Sequence, residues 1–246
     1  MTKQDVLYKY ETHLHTRESS ACATGSGYDM AYAAKEAGYT GIIVTDHNWG
    51  GNTRIDRDLP WEDFVEAFCK GYENALRAGQ EIGLDVFYGW EAGYQGTEFL
   101  IYGPDKNWML QHPEIKDASV EEQFGLIDDV GGLVIHAHPF REEWYIPQVR
   151  LYPDYVHGVE VINATHSNSH SMSHNDPAYN TLALAYAKEH DFTMTAGSDI
   201  HGVNMFGGGM LFDRRLKDIH DFVKAVKNRE CVILTDGEED FEYKLL

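Results

Sequence analysis

Few cysteines, few basic residues and no long apolar run mark this sequence, and each shortage removes a class of protein. Its three cysteines, Cys22, Cys69 and Cys231, lie far apart in 246 residues and form no CxxC pair. A disulfide framework and a structural zinc ribbon are therefore excluded. No stretch approaches the roughly 18 to 20 apolar residues of a membrane-spanning helix. Met1 to Tyr10 is polar, so no signal peptide is expected, and a cytoplasmic location follows. There are no low-complexity tracts, linkers or internal repeats. Lys and Arg number 20 against 40 Asp and Glu, a formal net charge of −20. Such a surface repels nucleic acid and anionic membranes, whose binding depends on contacts from cations. An anionic substrate would then need a local positive field, which bound divalent ions supply.

What remains is globular. Hydrophobic residues make up 43% and charged residues 24%, enough to build a core, and the length suits one α/β barrel. Short apolar runs alternate with helical periodicity. Strands are predicted at Val6 to His15, Gly41 to Val44, Asp85 to Tyr88, Phe99 to Tyr102, Leu133 to Ile135, Val156 to Ile162, Phe192 to Thr195 and Cys231 to Leu234. Helices are predicted at Tyr28 to Ala37, with Gly38 as its stop, and at Trp61 to Ile82, Val120 to Asp129, Thr181 to Glu189 and Leu216 to Asn228. Repeated β-then-α units argue for parallel strands with crossover helices. The segments around Gly50 to Asp58 and Ala164 to Pro177 read as long polar loops, with His166, His170 and His174 as surface residues.

Histidines and acids recur where the predicted strands end. His13 and His15 are two apart, so in a strand both imidazoles aim to one side. Asp199 and His201 repeat that spacing with an acid and an imidazole. His47, Glu91 and His138 also fall at predicted strand ends, and in a parallel barrel those ends share the face that carries chemistry. Imidazole and carboxylate without thiolate pairs suit zinc, manganese or iron better than calcium. So many donors exceed one ion's needs, which points to a group of two or three cations, with a carboxylate such as Glu91 bridging.

Taken in order, His13-Leu14-His15, Thr45-Asp46-His47-Asn48, Gly89-Trp90-Glu91, His138-Pro139-Phe140-Arg141, Gly158-Val159-Glu160-Val161-Ile162-Asn163 and Gly197-Ser198-Asp199-Ile200-His201 resemble the motifs of the PHP (polymerase and histidinol phosphatase) family over about residues 8 to 205. The resemblance implies a distorted (β/α)7 barrel spanning 1–246 as one domain, a trinuclear metal site and phosphoesterase activity. It implies His13, His15, Glu91 and Asp199 as ligands of a first metal, Glu91 and His138 of a second, and His47 and His201 of a third. Glu98 stands where related proteins offer the second metal a further ligand. One position departs from the pattern. Ser20 replaces an Asp that many members use for the third metal, leaving Glu18 or Cys22 as candidate substitutes.

The expected chemistry is attack on phosphorus by hydroxide that two or three divalent ions (Zn, Mn or Fe) generate from water. Arg141 is expected to grip a phosphate oxygen, Asp46 to orient the His47 ring, and His136 to lie beside the ligands or face the substrate. The expected substrate is a small phosphate monoester, such as a nucleotide, sugar or amino-alcohol phosphate. Alternatives are a phosphotyrosine phosphatase or nuclease, a metal-dependent amidohydrolase, or a metal-binding module without catalysis. Neither a nucleic-acid nor a membrane partner is expected, and the sequence sets no oligomeric state.

Overall fold

The computed structural model describes residues 6–170 and 174–246, and one sheet organises them. In chain order the elements are β1 (Tyr8–Leu14), α1 (Gly27–Glu36), β2 (Gly41–Val44), α2 (Trp61–Phe68), α3 (Lys70–Ile82), β3 (Asp85–Tyr94), β4 (Thr97–Tyr102) and α4 (Lys106–Gln111). There follow α5 (Val120–Asp129), β5 (Leu133–Ala137), β6 (Gly158–Asn163), α6 (Ala164–Ser167), α7 (Ala178–Glu189), β7 (Thr193–Gly197), β8 (Gly209–Phe212), α8 (Ile219–Lys227), β9 (Ile233–Thr235) and β10 (Asp240–Glu242). The spatial order of strands is β10-β9-β8-β1-β2-β3-β4-β5-β6-β7.

The fold class is α/β, as expected, but the expected seven parallel repeats do not form. β1-β2-β3 and β5-β6-β7 pair in parallel, whereas β4 is antiparallel to both β3 and β5, and β8, β9 and β10 are antiparallel throughout. The local cause is at Gln95 and Gly96, whose φ values of 50° and 85° make a tight two-residue hairpin that leaves no room for a crossover helix. Beyond β7 the chain returns to β1. Ile200 forms a parallel bridge with Leu14, its carbonyl accepting from the His15 N–H at 2.9 Å and its N–H donating to the His13 carbonyl at 3.1 Å. The start of β1 pairs with β8 instead. The sheet therefore curls until its two arms meet at the end of β1.

Alternation along the strands divides the core. Ile43, Phe87, Leu100, Tyr102, Leu133 and Ile135 join one apolar cluster. Their neighbours Trp90, Phe99, Ile101 and Val134 pack with Phe64 and Phe68 of α2 and Phe124 of α5, while Ile42 and Val44 pack against α1 and α3. Helix ends follow local chemistry. The Ser26 side chain caps α1, Gly38 takes φ +84° just after it, and Ser119 with Glu122 forms a capping box on α5. The predicted Trp61–Ile82 helix is two helices that meet at Cys69. α1 and α3 approach so closely that a Cβ on Gly27 would lie 2.0 Å from the Gly71 carbonyl oxygen. Among the described residues no helix is long and apolar enough to cross a membrane.

Candidate metal centre

Eight side chains from separate parts of the chain converge where the curled sheet closes. His13 lies near the end of β1 and His15 just beyond it, His47 follows β2, and His138 follows β5. Asp199 and His201 follow β7. Glu91 was expected at a strand end, but it stands inside β3, opposite Leu100 of β4, and Glu98 is on β4 itself. The antiparallel hairpin thus contributes both glutamates from mid-strand. The backbone past β2 keeps pairing with β3, so His47 forms a bridge with Glu91.

Potential ligand atoms fall into four overlapping groups, each with its atoms within 4.8 Å of one another: His13/His15/Asp199, His13/Glu91/His138, His47/Glu91/Glu98 and His15/His47/His201. Because His13, His15, His47 and Glu91 each belong to two groups, the set is one continuous cluster. Its closest approaches are His47 Nδ1 to Glu91 Oε2 at 2.7 Å, His138 Nε2 to Glu91 Oε1 at 3.1 Å, His13 Nε2 to Glu91 Oε1 at 3.2 Å and His15 Nε2 to Asp199 Oδ1 at 3.3 Å. Despite these distances, His13 Nε2, His15 Nε2, His47 Nδ1 and Glu91 Oε2 are buried without an aligned hydrogen bond. They aim at shared space, not along one another's lone pairs. An unsatisfied buried polar atom costs about 1–3 kcal/mol, so four together fit a site built to hold cations.

The opposite sides of the rings are fixed. His13 Nδ1 lies 2.9 Å from Glu160 Oε1; a carboxylate only accepts, so Nδ1 carries the proton and Nε2 keeps its lone pair. His201 Nδ1 donates likewise to the Asp199 carbonyl at 2.8 Å. For His15 the partner is Ser20. Ser20 Oγ donates its one proton to Asp46 Oδ1 at 2.6 Å, accepts from the His47 N–H at 3.1 Å and sits 3.2 Å from His15 Nδ1. Its capacity is then full, so Ser20 orients His15 and is not a ligand itself. Asp46 does not touch the His47 ring as expected. It accepts from the Thr16 N–H and hydroxyl and acts on His15 through Ser20.

Charges inside the cluster oppose burial. Burial pushes Glu91 upward, but His13 and His47 outweigh it and hold the carboxyl well below its usual range. Asp199 is likewise held well below by His13 and Arg141 against the effect of burial. Burial, then the neighbouring charges of His47 and His201, drives His15 well below the ordinary imidazole value. Burial and the charge of Glu91 raise Glu98. His138 and Asp199 adopt positive φ, 28° and 53°, backbone strain of the kind that clusters at functional sites.

Other expected residues divide. Arg141 is at the site, but its guanidinium is already engaged: Nη2 donates to Asp199 Oδ2 at 2.5 Å and Nε to His166 Nε2 at 3.2 Å. His136 is not brought to the cluster. It sits on the opposite face of β5 beside Val134, its ring 4.8 Å from Phe99, and burial pushes its pKa down to about 3. Glu18 points away, accepting from the Gly27 N–H and Asn74. Cys22 is exposed at the cluster's edge, in hydrogen-bonding reach of His201 and His47. His166, expected at the surface, is buried on α6. Burial, then the charge of Arg141, forces it down to about 2, so it stays neutral and accepts from Arg141.

Sequence reasoning missed the roles of Glu160 and Glu11. Glu160 also accepts from the His138 N–H at 3.2 Å and Asn163 at 3.1 Å. Glu11 Oε1 accepts from the His13 N–H at 2.9 Å and the Ser198 N–H at 2.8 Å, tying the two-apart motifs together. Extending the His13/His15 spacing back by two residues would have found it. Above the cluster lies a cavity of about 520 Å³ lined by His47, Glu91, Glu98, Arg141, Asp199 and His201 and walled farther out by Trp144, Tyr145 and His174.

Comparison with known proteins bears on the fold. Residues 177–231, which carry Asp199 and His201, match the model of the PHP-associated family. A two-domain protein from Bacteroides vulgatus, containing a predicted PHP-like metal-dependent phosphoesterase, shares the fold with a TM-score of 0.69 at 15% identity, over 96% of this chain and 66% of that one. The chain has a PHP-like fold. It spans just under two thirds of that relative's length. PsfC from Pseudomonas syringae matches with a TM-score of 0.58 at 17% identity over 88% of each chain. An amidohydrolase from Chromobacterium violaceum matches with a TM-score of 0.51 at 16% identity over 88% of this chain and 96% of its own. No protein of curated function matches the sequence.

Proposed function

We propose that this chain is a metal-dependent phosphoesterase of the PHP type that hydrolyses a small phosphate monoester. The observation that carries the reading is the buried, unbonded ligand atoms of His13, His15, His47 and Glu91 gathered under an open cavity. Divalent ions held there would make water acidic enough to attack near neutral pH and would offset phosphoryl charge. His13, His15, Glu91 and Asp199 are the residues for one ion, Glu91, Glu98 and His138 for a second, and His47 and His201 for a third. Zinc, manganese and iron suit this mix of imidazole and carboxylate.

The protein's own contribution is orientation and charge. Glu160, Ser20 and the Asp199 carbonyl fix three rings so that the far nitrogen faces inward. Arg141 brings a permanent cation to the cavity wall, and its bonds to Asp199 and His166 hold the fork still for a phosphate oxygen. The Bacteroides relative, described as containing a predicted phosphoesterase of this type, supports the reading.

A second reading is C–N bond hydrolysis, favoured by the likeness to the Chromobacterium amidohydrolase, whose structure holds sulfate and no metal. One experiment separates them. The purified chain is assayed for bound metal by elemental analysis, then for phosphate release from p-nitrophenyl phosphate and for amide cleavage of N-acyl amino acids, with Mn2+ or Zn2+ and with chelator. Chelator-sensitive phosphate release is expected. Amide cleavage alone selects the second reading, and a chain that takes up no divalent ion overturns both.

A further inference from the structure

The cavity is larger and less charged than a phosphate needs. Its volume of about 520 Å³ falls in the range of roughly 300–1,000 Å³ typical of sites that enclose a whole small molecule. Beyond the cluster the lining changes character. Gly50, Gly51, Gly93 and Gly96 present bare backbone, and Asn52 is neutral. Arg141 is the only Lys or Arg among the described lining residues. A second phosphate group on the substrate would meet no further permanent cation.

At the mouth stand Trp144 and Tyr145. Trp144 is 92% exposed, whereas Trp49 and Trp90 are buried and the other two tryptophans partly so. A bare indole costs hydration free energy, and an exposed aromatic patch beside a cavity marks a binding surface. Its ring meets Tyr145 edge to face, with centroids 5.6 Å apart. The segment that carries both is tied down on two sides. Arg150 donates to the Gln95 carbonyl and side chain at 3.1 Å each, and Glu143 bonds His174 at 2.5 Å. Gly96 lies so close that a Cβ there would be 3.1 Å from the Tyr145 carbonyl oxygen. The indole is therefore held at the rim by an anchored segment.

We infer that Trp144 and Tyr145 form a stacking platform for the alcohol part of the ester, so that the site takes a phosphate monoester whose leaving group carries a planar aromatic ring and no second phosphate. This rests on the phosphoesterase reading above. The metal cluster and Arg141 take the phosphoryl end, and the indole takes the ring, since aromatic faces stack with any π-system.

The test uses the full chain with Mn2+ and compares kcat/KM for phenyl phosphate, a nucleoside 5′-monophosphate, the matching nucleoside diphosphate and glycerol phosphate. The ring-bearing monoesters are expected to be preferred over glycerol phosphate and over the diphosphate. Trp144→Ala is expected to narrow the ring preference about ten-fold, through KM rather than kcat, and Trp144→Phe to retain most of it. Phenyl phosphate and the nucleotide distinguish a simple aryl group from a nucleobase. A preference unchanged in Trp144→Ala overturns the platform, as does a wild type that favours glycerol phosphate or the diphosphate. Should the wild type hydrolyse no ester, the functional reading fails separately, and binding still decides this inference. Phenyl phosphate, but not glycerol phosphate, should quench the red-edge tryptophan emission, and Trp144→Phe should abolish that quench; an equal response to both ligands overturns the platform.

Discussion

Two charged clusters in this protein are built on opposite plans. On the surface, Arg214 meets Asp221 through Nη1 at 2.7 Å and Nη2 at 2.9 Å, and Glu230 through Nη2 at 2.8 Å, so one guanidinium serves both acids. Among the described residues, the buried cluster holds five imidazoles and three carboxylates, with Arg141 beside them as the one permanent cation in contact, and it leaves four polar atoms unbonded. The first is complete as the chain folds it. The second is left incomplete, as the proposed ion site requires. Burial makes the difference consequential, because a missing partner costs far more away from water.

The widest gap between the clusters should appear on removing Glu91, which belongs to two ligand groups. Glu91→Ala is expected to lose bound metal by elemental analysis and drop phosphate release to background while circular dichroism stays native; full activity would discard the site. Next in size, saturating divalent metal at about 100 times Kd should stabilise the wild type by about 2.7 kcal/mol. That is roughly 5–10 °C in Tm for a chain of this size, and Glu91→Ala should lose most of the shift. Glu160→Gln keeps the volume but swaps an acceptor for a donor beside His13; metal affinity or activity should fall about 10–100-fold, measured by competition with a chelator.

The surface cluster should respond weakly. Arg214→Ala is expected to cost at most about 1 kcal/mol, visible as a small Tm change that high salt removes, with metal binding untouched. Smallest is a pH effect at His157, whose Nδ1 accepts from the Val134 N–H at 3.1 Å. Burial, the first cause, holds its pKa below the ordinary 6.5 despite Asp128. Folding thus favours the neutral ring: its contribution is present above about pH 6.5 and is lost as pH falls through the lower folded value. The Tm advantage of wild type over His157→Gln should shrink from pH 7 to pH 5; an advantage that grows would reverse the sign.

Much of the candidate site was legible because imidazoles and carboxylates at fixed spacing leave local marks. The two-apart pairs His13/His15 and Asp199/His201 announce themselves, and the ordered motifs extend the set to Glu91 and His138. The places of most strands and several helices also followed from periodicity, with β2 and α5 matching their predicted spans, whereas β8 and β10 were not foreseen. Orientation was not legible. Nothing in the run from Asp85 to Tyr102 says that the strand continues through Glu91 and turns back at Gln95-Gly96, because a hairpin and a βα turn share the same residue types. His136 reads like His138 by spacing, yet the backbone leaves the strand at His138 and the two rings part. The hydrogen bonds of Ser20, Glu160 and Glu11 depend on contacts up to 187 positions apart, and no local pattern encodes those.

The Leu14–Ile200 bridge has a consequence for the order in which the protein is made. The proposed ion cage draws on residue 13 and on residue 201, and the bridge that brings them together cannot close until both have been synthesised. Chain growth of about 5–20 residues per second then separates the first histidines from the last by some ten seconds or more. A nascent chain stalled before Asp199 would hold only part of the proposed cage, so metal loading would have to wait until residues 199–201 have been made.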